Sequence, residues 1–310
     1  MFDKRRIFTI GMISLTVFPV CSYAYIEDKN AKSSDEAVAA SRGKEIYEGA
    51  CAPCHGILGD GNGPAATSLD PHPRDFTSGI YKFRSTPSGE LPTDDDIFRI
   101  ISKGIPNTMM PAWKELLTEL ERRDVVAYIK TFSDDFAEYG PGEPIQIGEP
   151  PAKSPDSFLE GKSLFILMEC WACHGVEGKG DGKSANSLTD DWGRKIKPFN
   201  FTKGNYKSGS DPKNIYTTLN TGLNGTPMPS FAGALLFGSD TFEDISYYAK
   251  AFSPIEIAVL QTYLSNQPSS EEIESMSDED KQALSNRRSW SLVHYVKSFA
   301  RKKSLFQQLF

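Results

Sequence analysis

Two short segments of this chain place two thiols and an imidazole at a fixed spacing. Residues 51–55 have the sequence Cys-Ala-Pro-Cys-His, and residues 170–174, which lie 119 positions later, have the sequence Cys-Trp-Ala-Cys-His. Cysteines at this spacing can form a redox-active disulfide, ligate a metal ion or attach a c-type haem. The surrounding elements must distinguish these chemistries, because each chemistry needs a different scaffold.

The histidine that follows the second cysteine favours haem. Two thiols at this spacing reach the two vinyl groups on one edge of a porphyrin, and the adjacent imidazole then lies under the iron. A thioredoxin-like pair needs no repeated histidine, and one zinc ion shared by both cysteine pairs suits two distant segments less well. The sequence therefore predicts two covalently bound haem c groups, attached through Cys51, Cys54, Cys170 and Cys173, with His55 and His174 as iron ligands.

A methionine followed by proline stands at the matching place downstream of each segment. A thioether is a soft ligand that suits iron moving between two oxidation states, and it raises the reduction potential. Buried methionines more often fill gaps in a core, but the shared offset of 118 residues favours ligation by Met110 and Met228. Met109 is the neighbouring alternative in the first copy, and its counterpart in the second copy is Pro227.

The two segments belong to an internal repeat. Glycine and aromatic residues before each segment match, and so do aromatic residues after it. The last match has an offset of 167, so about 49 residues are inserted in the second copy, between Phe231 and Asn286. The matching residues are Gly43 with Gly161, Tyr47 with Phe165, Phe76 with Phe201, Tyr81 with Tyr206, Lys82 with Lys207, Tyr128 with Tyr295, and Phe132 with Phe299.

The elements that carry these residues are predicted to be helices. Strand-like alternation is scarce, and several pairs have the pattern of a helix start. A stretch with five prolines and three glycines, residues 140–155, should form an extended and exposed linker between the copies. The predicted helix starts are Thr93 with Asp96, Thr118 with Glu121, Ser157 with Glu160, Asp211 with Pro212, and Ser253 with Pro254 and Glu256.

The N-terminus has the pattern of an export signal. Three basic residues at positions 4–6 precede an apolar run at 7–20, and the small residues Ser22 and Ala24 predict cleavage after Ala24. An uncleaved membrane anchor is the alternative, and the residues before Cys21 do not fit a lipoprotein signal. The whole chain has a net charge of −7 and becomes more acidic without the signal, which disfavours nucleic-acid binding. We expect a periplasmic or equivalent compartment.

On these residues the chain resembles the class I cytochromes c, in a tandem dihaem form. The resemblance covers residues 41–133 and 158–232 and returns at about 286–300. It implies an all-α fold of two cytochrome c-like domains, and the helical insertion at about 233–285 departs from the family pattern. The predicted divisions of the chain are a signal at 1–24, a polar linker at 25–40, domain 1 at 41–138, a Pro/Gly-rich linker at 139–157, and domain 2, with the insertion, at 158–310.

The resemblance also implies two contacts inside each copy. The N-terminal helix should cross the C-terminal helix through the matched glycine and aromatic residues. A carbonyl in the loop after the haem histidine should accept its ring N–H. Pro64 is the candidate acceptor in copy one, and Lys183 stands at the equivalent place in copy two.

The expected function is transfer of single electrons, without catalytic residues. The other two histidines, His72 and His294, have no counterparts in the other copy and are predicted to lie at the surface. A dihaem cytochrome c peroxidase is the enzymatic alternative, and an assembly role is a third. The expected partners are a respiratory oxidoreductase and another redox protein; family-level analogy suggests a membrane or molybdenum oxidoreductase complex.

The charge pattern of the second copy leaves two interpretations open. Residues 240–280 hold ten acids and one base, Lys250, whereas residues 281–310 hold seven bases and no acid. The two stretches could attract each other, or they could form a docking surface for a partner. The tail at 304–310 adds four apolar residues on one helical face, which favours docking through this basic and apolar end.

Overall fold

In the computed structural model, residues 29–242 and 244–307 are described. The predicted export signal and its cleavage site lie outside these residues, as does the end of the C-terminal tail. The described part contains α-helices, short 3₁₀ turns and one isolated bridge between Thr189 and Lys195, but no strand. This confirms the predicted all-α class. Within the same residues, no helix is both long and apolar enough to cross a bilayer.

Domain 1 is built on a crossing of its first and last long helices. A side chain at Gly43 would overlap the carbonyl of Asp124, so glycine allows the two backbones to touch. One turn later the buried Tyr47 ring meets Tyr128 edge-on, with 5.3 Å between centroids. The predicted crossing is confirmed. The helices are α1 (Lys29–Ala50), α2 (Ala52–His55), α3 (Asp94–Lys103), α4 (Glu119–Lys130) and α5 (Asp135–Glu138).

Domain 2 repeats this crossing. A side chain at Gly161 would overlap the carbonyl of Ser291, and Phe165 meets Tyr295 with 5.4 Å between ring centroids. Both rings are buried in the larger of the apolar clusters. The helices are α6 (Pro155–Leu167), α7 (Cys170–His174), α8 (Pro212–Thr221), α9 (Pro254–Ser265), α10 (Ser270–Ser275) and α11 (Asp278–Gln307).

The predicted helix starts are confirmed for α3, α4, α8 and α9. The predicted pairing of Ser157 with Glu160 is wrong. Helix α6 begins one turn earlier, where Ser154 and Ser157 cap each other and Pro155 occupies the first helical position. Glu160 is buried instead and accepts a hydrogen bond from the Ser291 hydroxyl at 2.7 Å. Its carboxylate therefore supports the α6–α11 crossing.

Two linker predictions need correction. Helix α1 begins at Lys29, so much of the segment 25–40 is helical rather than linker. Residues 140–153 have no regular structure, as predicted, but they are not uniformly exposed. Ile145 and Ile147 pack on an apolar cluster, and the Trp290 indole N–H donates to the Gly148 carbonyl at 2.9 Å. The linker is thus packed against domain 2.

The insertion of domain 2 is held by one buried guanidinium. Arg288 is fully buried and donates to the carbonyls of Leu235 and Phe237 at 2.7 and 3.0 Å, and to the Gln267 side chain at 2.9 Å. Among the described residues, Arg288 is the hydrogen-bond donor to these three oxygens. Arg288, a basic residue of α11, therefore contacts the insertion through hydrogen bonds to uncharged oxygens. An ion pair between Lys162 and Glu256 ties the insertion to α6.

Candidate haem-attachment sites

Each Cys-x-x-Cys-His segment folds as one short helix that follows a long one. In domain 1, the Cys51 amide donates to the Tyr47 carbonyl at 2.8 Å, which places α2 directly after α1. Gly56, at φ 79°, ends α2, a conformation that favours glycine. Domain 2 repeats this ending with Gly175, at φ 77°. The segments therefore lie in the same local structure in both domains.

Before haem is attached, burial is the main influence on three of the four thiols, those of Cys51, Cys170 and Cys173. It raises the pKa of Cys51 to about 11 and that of Cys170 to about 12, and it also raises the pKa of Cys173. A redox-active dithiol needs the opposite shift, because the thiolate is its reactive form. Cys51 packs on the apolar cluster of domain 1 and Cys170 on that of domain 2. The first cysteine of each pair therefore contacts the apolar cluster of its own domain.

Both histidine rings are fixed from one side. Nδ1 of His55 lies 3.0 Å from the Arg74 carbonyl, and Nδ1 of His174 lies 3.0 Å from the Phe199 carbonyl. The rings stack on Phe76 and Phe201, with centroids 4.6 and 4.2 Å apart. Burial lowers the pKa of both histidines, which favours the neutral ring that a metal requires. Among the described residues Nε2 has no hydrogen-bond partner and can bind iron.

The predicted acceptor Pro64 is therefore wrong, and the equivalent position in domain 2, Lys183, is not the acceptor there either. The acceptor in each domain lies two positions before the stacked phenylalanine instead. A carbonyl can belong to any residue type, so residue identity carries little signal here. The matched phenylalanines of the repeat were the usable clue, because they mark where the loop returns to the histidine.

The two methionine loops have the same hydrogen bonds. The Met110 carbonyl accepts from Ile105 at 3.1 Å, and the Met110 amide donates to the Thr108 hydroxyl at 3.1 Å. In domain 2 the Met228 carbonyl accepts at 3.0 Å and its amide donates to the Thr226 hydroxyl at 3.3 Å. Met109 is 72% exposed. The loops thus hold the predicted methionines in equivalent backbone positions.

In domain 1 the predicted ligands share one apolar pocket. Its lining includes both cysteines of the segment, His55 and both Met109 and Met110, with Ile97, Ile101, Trp113 and Ile129 around them. A flat, apolar ring with an iron at its centre fits this donor set and these walls. His72 also lines the pocket and is half-buried, so its prediction as a surface residue is wrong. His294 is likewise half-buried, near Trp290.

The fold and the sites define a cytochrome of the c type with one site in each of two domains. A family model described as "Cytochrome C oxidase, cbb3-type, subunit III" matches residues 38–129, and a model described as "Cytochrome c" matches residues 158–268. The chain belongs to the class I c-type cytochromes, as a tandem of two cytochrome c domains. It is accordingly a haem electron-transfer protein.

A solved structure is similar to this chain over most of its length. It is described as the reducing HAO-like protein complex of Kuenenia stuttgartiensis, and the matching chain is 40% identical. The match covers 83% of this chain and 95% of that chain, with a TM-score of 0.64. A search of curated proteins gave no match.

Proposed function

We propose that this protein is a dihaem cytochrome c that carries single electrons between a respiratory oxidoreductase and a second redox protein. The observation that supports it is the duplicated site: two partly buried cysteine pairs, each followed by a histidine fixed through Nδ1. When bound, haem c supplies an iron that exchanges one electron at a time. The protein's part is to hold that iron and to exclude water from it.

Each group of residues has one role in this proposal. Cys51 and Cys54 would hold one haem covalently, and Cys170 and Cys173 the other. His55 and His174 would bind iron through Nε2, while the carbonyl at Nδ1 sets the ring orientation and strengthens the ligand. Met110 and Met228 would take the sixth positions. Ligands on both sides leave no iron position for a substrate, which favours a carrier over a peroxidase.

The partner is proposed from the solved neighbour. Because that chain comes from a complex described as reducing and HAO-like, we infer that the present chain serves as an electron-transfer subunit or partner of an oxidoreductase complex. None of the comparisons supports a molybdenum enzyme as the partner. The basic and apolar tail at 304–310 is proposed as a docking element, and the export signal at 1–24 as the route to the periplasm or an equivalent compartment.

Mass spectrometry of the mature protein tests the two attachments. The expected mass exceeds that of the polypeptide by two haems, and acidified solvent should extract neither haem. A double variant, Cys51→Ala with Cys54→Ala, should lose one haem and keep the other. A wild-type mass with one haem or none would contradict the proposal.

Optical spectroscopy and ligand binding test the axial ligands. Both ferric irons should be low-spin, and the reduced protein should bind carbon monoxide slowly and turn over peroxide poorly. Rapid binding of carbon monoxide at one haem, before any denaturant is added, would favour the peroxidase alternative.

A further inference from the structure

Three basic side chains line the pocket of domain 1, and one of them comes from domain 2. Arg74 and Lys82 belong to domain 1, whereas Lys207 follows the 3₁₀ turn Phe201–Lys203 of domain 2. All three are half-buried. Lys82 and Lys207 are the matched lysines of the two sequence copies, so both copies contribute the same residue to one pocket.

Contacts between the domains fix the position of Lys207. Two positions before it, the Asn205 carbonyl accepts from the Asn107 side chain at 2.9 Å. One position after it, the Ser208 carbonyl accepts from Arg99 at 3.4 Å. The neighbouring Tyr206 is buried in the domain 2 core. Lys207 is thus held at the domain interface from both sides.

Arg74 is held at the same interface. Its guanidinium lies over the Trp192 ring of domain 2, 4.6 Å from the centroid, in a cation–π contact. Its own carbonyl is the acceptor for Nδ1 of His55. One residue therefore connects the iron-binding histidine to the surface of the other domain.

Carboxylates act on the basic cluster only through space: Asp190 on Arg74 and Lys82, and Asp70 on Lys207. The structure describes side chains over residues 34–242 and 244–300. Within these residues, the side chains of Arg74, Lys82 and Lys207 form neither a hydrogen bond nor an ion pair. Burial lowers the pKa of all three, and that of Lys82 falls to about 8, with Arg74 and Lys207 adding repulsion. Partly buried cations are costly unless an anion pairs with them.

Haem itself carries two carboxylate groups that can supply this charge. We propose that Arg74, Lys82 and Lys207 bind the carboxylates of the haem attached at Cys51 and Cys54, so that domain 2 completes the haem site of domain 1. The inference rests on the proposed function, since it needs a haem in this pocket. Positive charge beside a haem favours the ferrous state, because that state has one positive charge fewer. Lys207 therefore raises the potential of the haem in the other domain.

The test is an optical redox titration of the full-length, haem-loaded protein. At the wild-type midpoint potential, Lys207→Gln should lower the ratio of reduced to oxidised haem in domain 1 by about ten-fold. For a one-electron couple this is a shift of about 59 mV. The haem of domain 2 should keep its potential. Lys207→Gln is also measured in the Met110→His variant. Because Met110→His is expected to shift only the haem of domain 1, it identifies which redox transition belongs to that haem.

Two control variants accompany Lys207→Gln. Lys213→Gln removes the same charge from an exposed position of domain 2 and should leave both potentials unchanged. Lys207→Arg keeps the charge and should keep the wild-type potential. If Lys207→Gln shifts neither haem, or shifts the haem of domain 2 instead, the inference is wrong while the proposed function stands. A wild-type protein that carries no haem in domain 1 would overturn the proposed function first.

Discussion

The two domains share a site but differ in what covers it. In domain 1 Pro53, in the middle of the segment 51–55, is exposed, whereas the residues that follow the glycine after each segment, such as Ile57 and Val176, are exposed in both domains. In domain 2 the position equivalent to Pro53 is Ala172, which is 8% exposed. The middle of one segment thus meets solvent where the equivalent position of the other is covered.

The insertion accounts for this difference. The Trp171 ring, in the middle of the second segment, meets Phe252 edge-on at 5.5 Å between centroids. Tyr248, also in the insertion, donates its hydroxyl to the Leu167 carbonyl at 3.3 Å, and Lys183 donates to the Tyr247 hydroxyl. A duplicated fold can therefore keep its chemistry while one copy changes its access to solvent. The ligands are local, whereas the cover comes from a distant stretch of chain.

The largest expected change follows the removal of Arg288. Because Arg288→Ala leaves three acceptors of the insertion unpaired, the free energy of unfolding of domain 2 should fall by about 3 kcal/mol. Denaturant titration, followed by the absorbance of each haem, measures it. Domain 1 should unfold as before.

Arg287→Ala is the matched control for this change. Arg287 pairs with Glu160 at 3.3 Å, but half of its side chain is exposed, so its removal should cost less than about 1 kcal/mol. Equal effects of the two substitutions would show that the buried guanidinium does not hold the insertion.

The next prediction separates the two iron sites. Replacing a thioether ligand by imidazole lowers a haem potential, so Met110→His should lower one potential by on the order of 0.1 V and leave the other unchanged. Met228→His should do the reverse. Redox titration of both variants measures the effect. Because Met109 is the neighbouring alternative, Met109→His serves as the control and should move neither potential.

A third prediction concerns the cover itself. Both segments have the same internal hydrogen bonds, for example Gly56 to Ala52 at 2.9 Å and Gly175 to Trp171 at 2.8 Å. Amide hydrogen exchange should nevertheless be slower at 170–174 than at 51–55, because the insertion must open first. Arg288→Ala should reduce the difference. Equal protection in the wild type would show that the insertion does not protect the second segment.

The smallest effect is expected from a change of pH. A hydrogen bond from Lys162, at 2.7 Å, is the main cause that lowers the pKa of Glu256 to about 2. The ionised carboxylate therefore stabilises the fold above about pH 4.5, and this contribution is lost as the pH falls toward 2. Glu256→Gln keeps the helix cap and should lower the melting temperature at pH 7 by about 1–3 °C.

Thermal unfolding at two pH values measures this effect. The difference between Glu256→Gln and the wild type should shrink near pH 2.5. Glu271→Gln, at an exposed position of the insertion, serves as the control and should change the melting temperature little at either pH. An undiminished difference at low pH would mean that the ion pair is not its cause.

The sequence by itself determined the features that depend on near neighbours along the chain. Cysteine and histidine spacing predicted both candidate attachment segments, and matched pairs such as Gly43 with Tyr47 identified the helix crossing, because a backbone contact tolerates only glycine. Most helix starts followed for the same reason, since a cap acts within one turn. The Ser157 prediction failed because a second capping serine stood one turn earlier.

Only the tertiary structure decided the features made between distant segments. The acceptor for His55 is a carbonyl, a group that every residue has, so spacing and residue type could not select Arg74. Similarly, the burial of Arg288 and the approach of Lys207 to the pocket of the other domain depend on how the whole chain packs. A charged side chain gives the same sequence signal at a surface and in an interface, and only its neighbours in space determine its role.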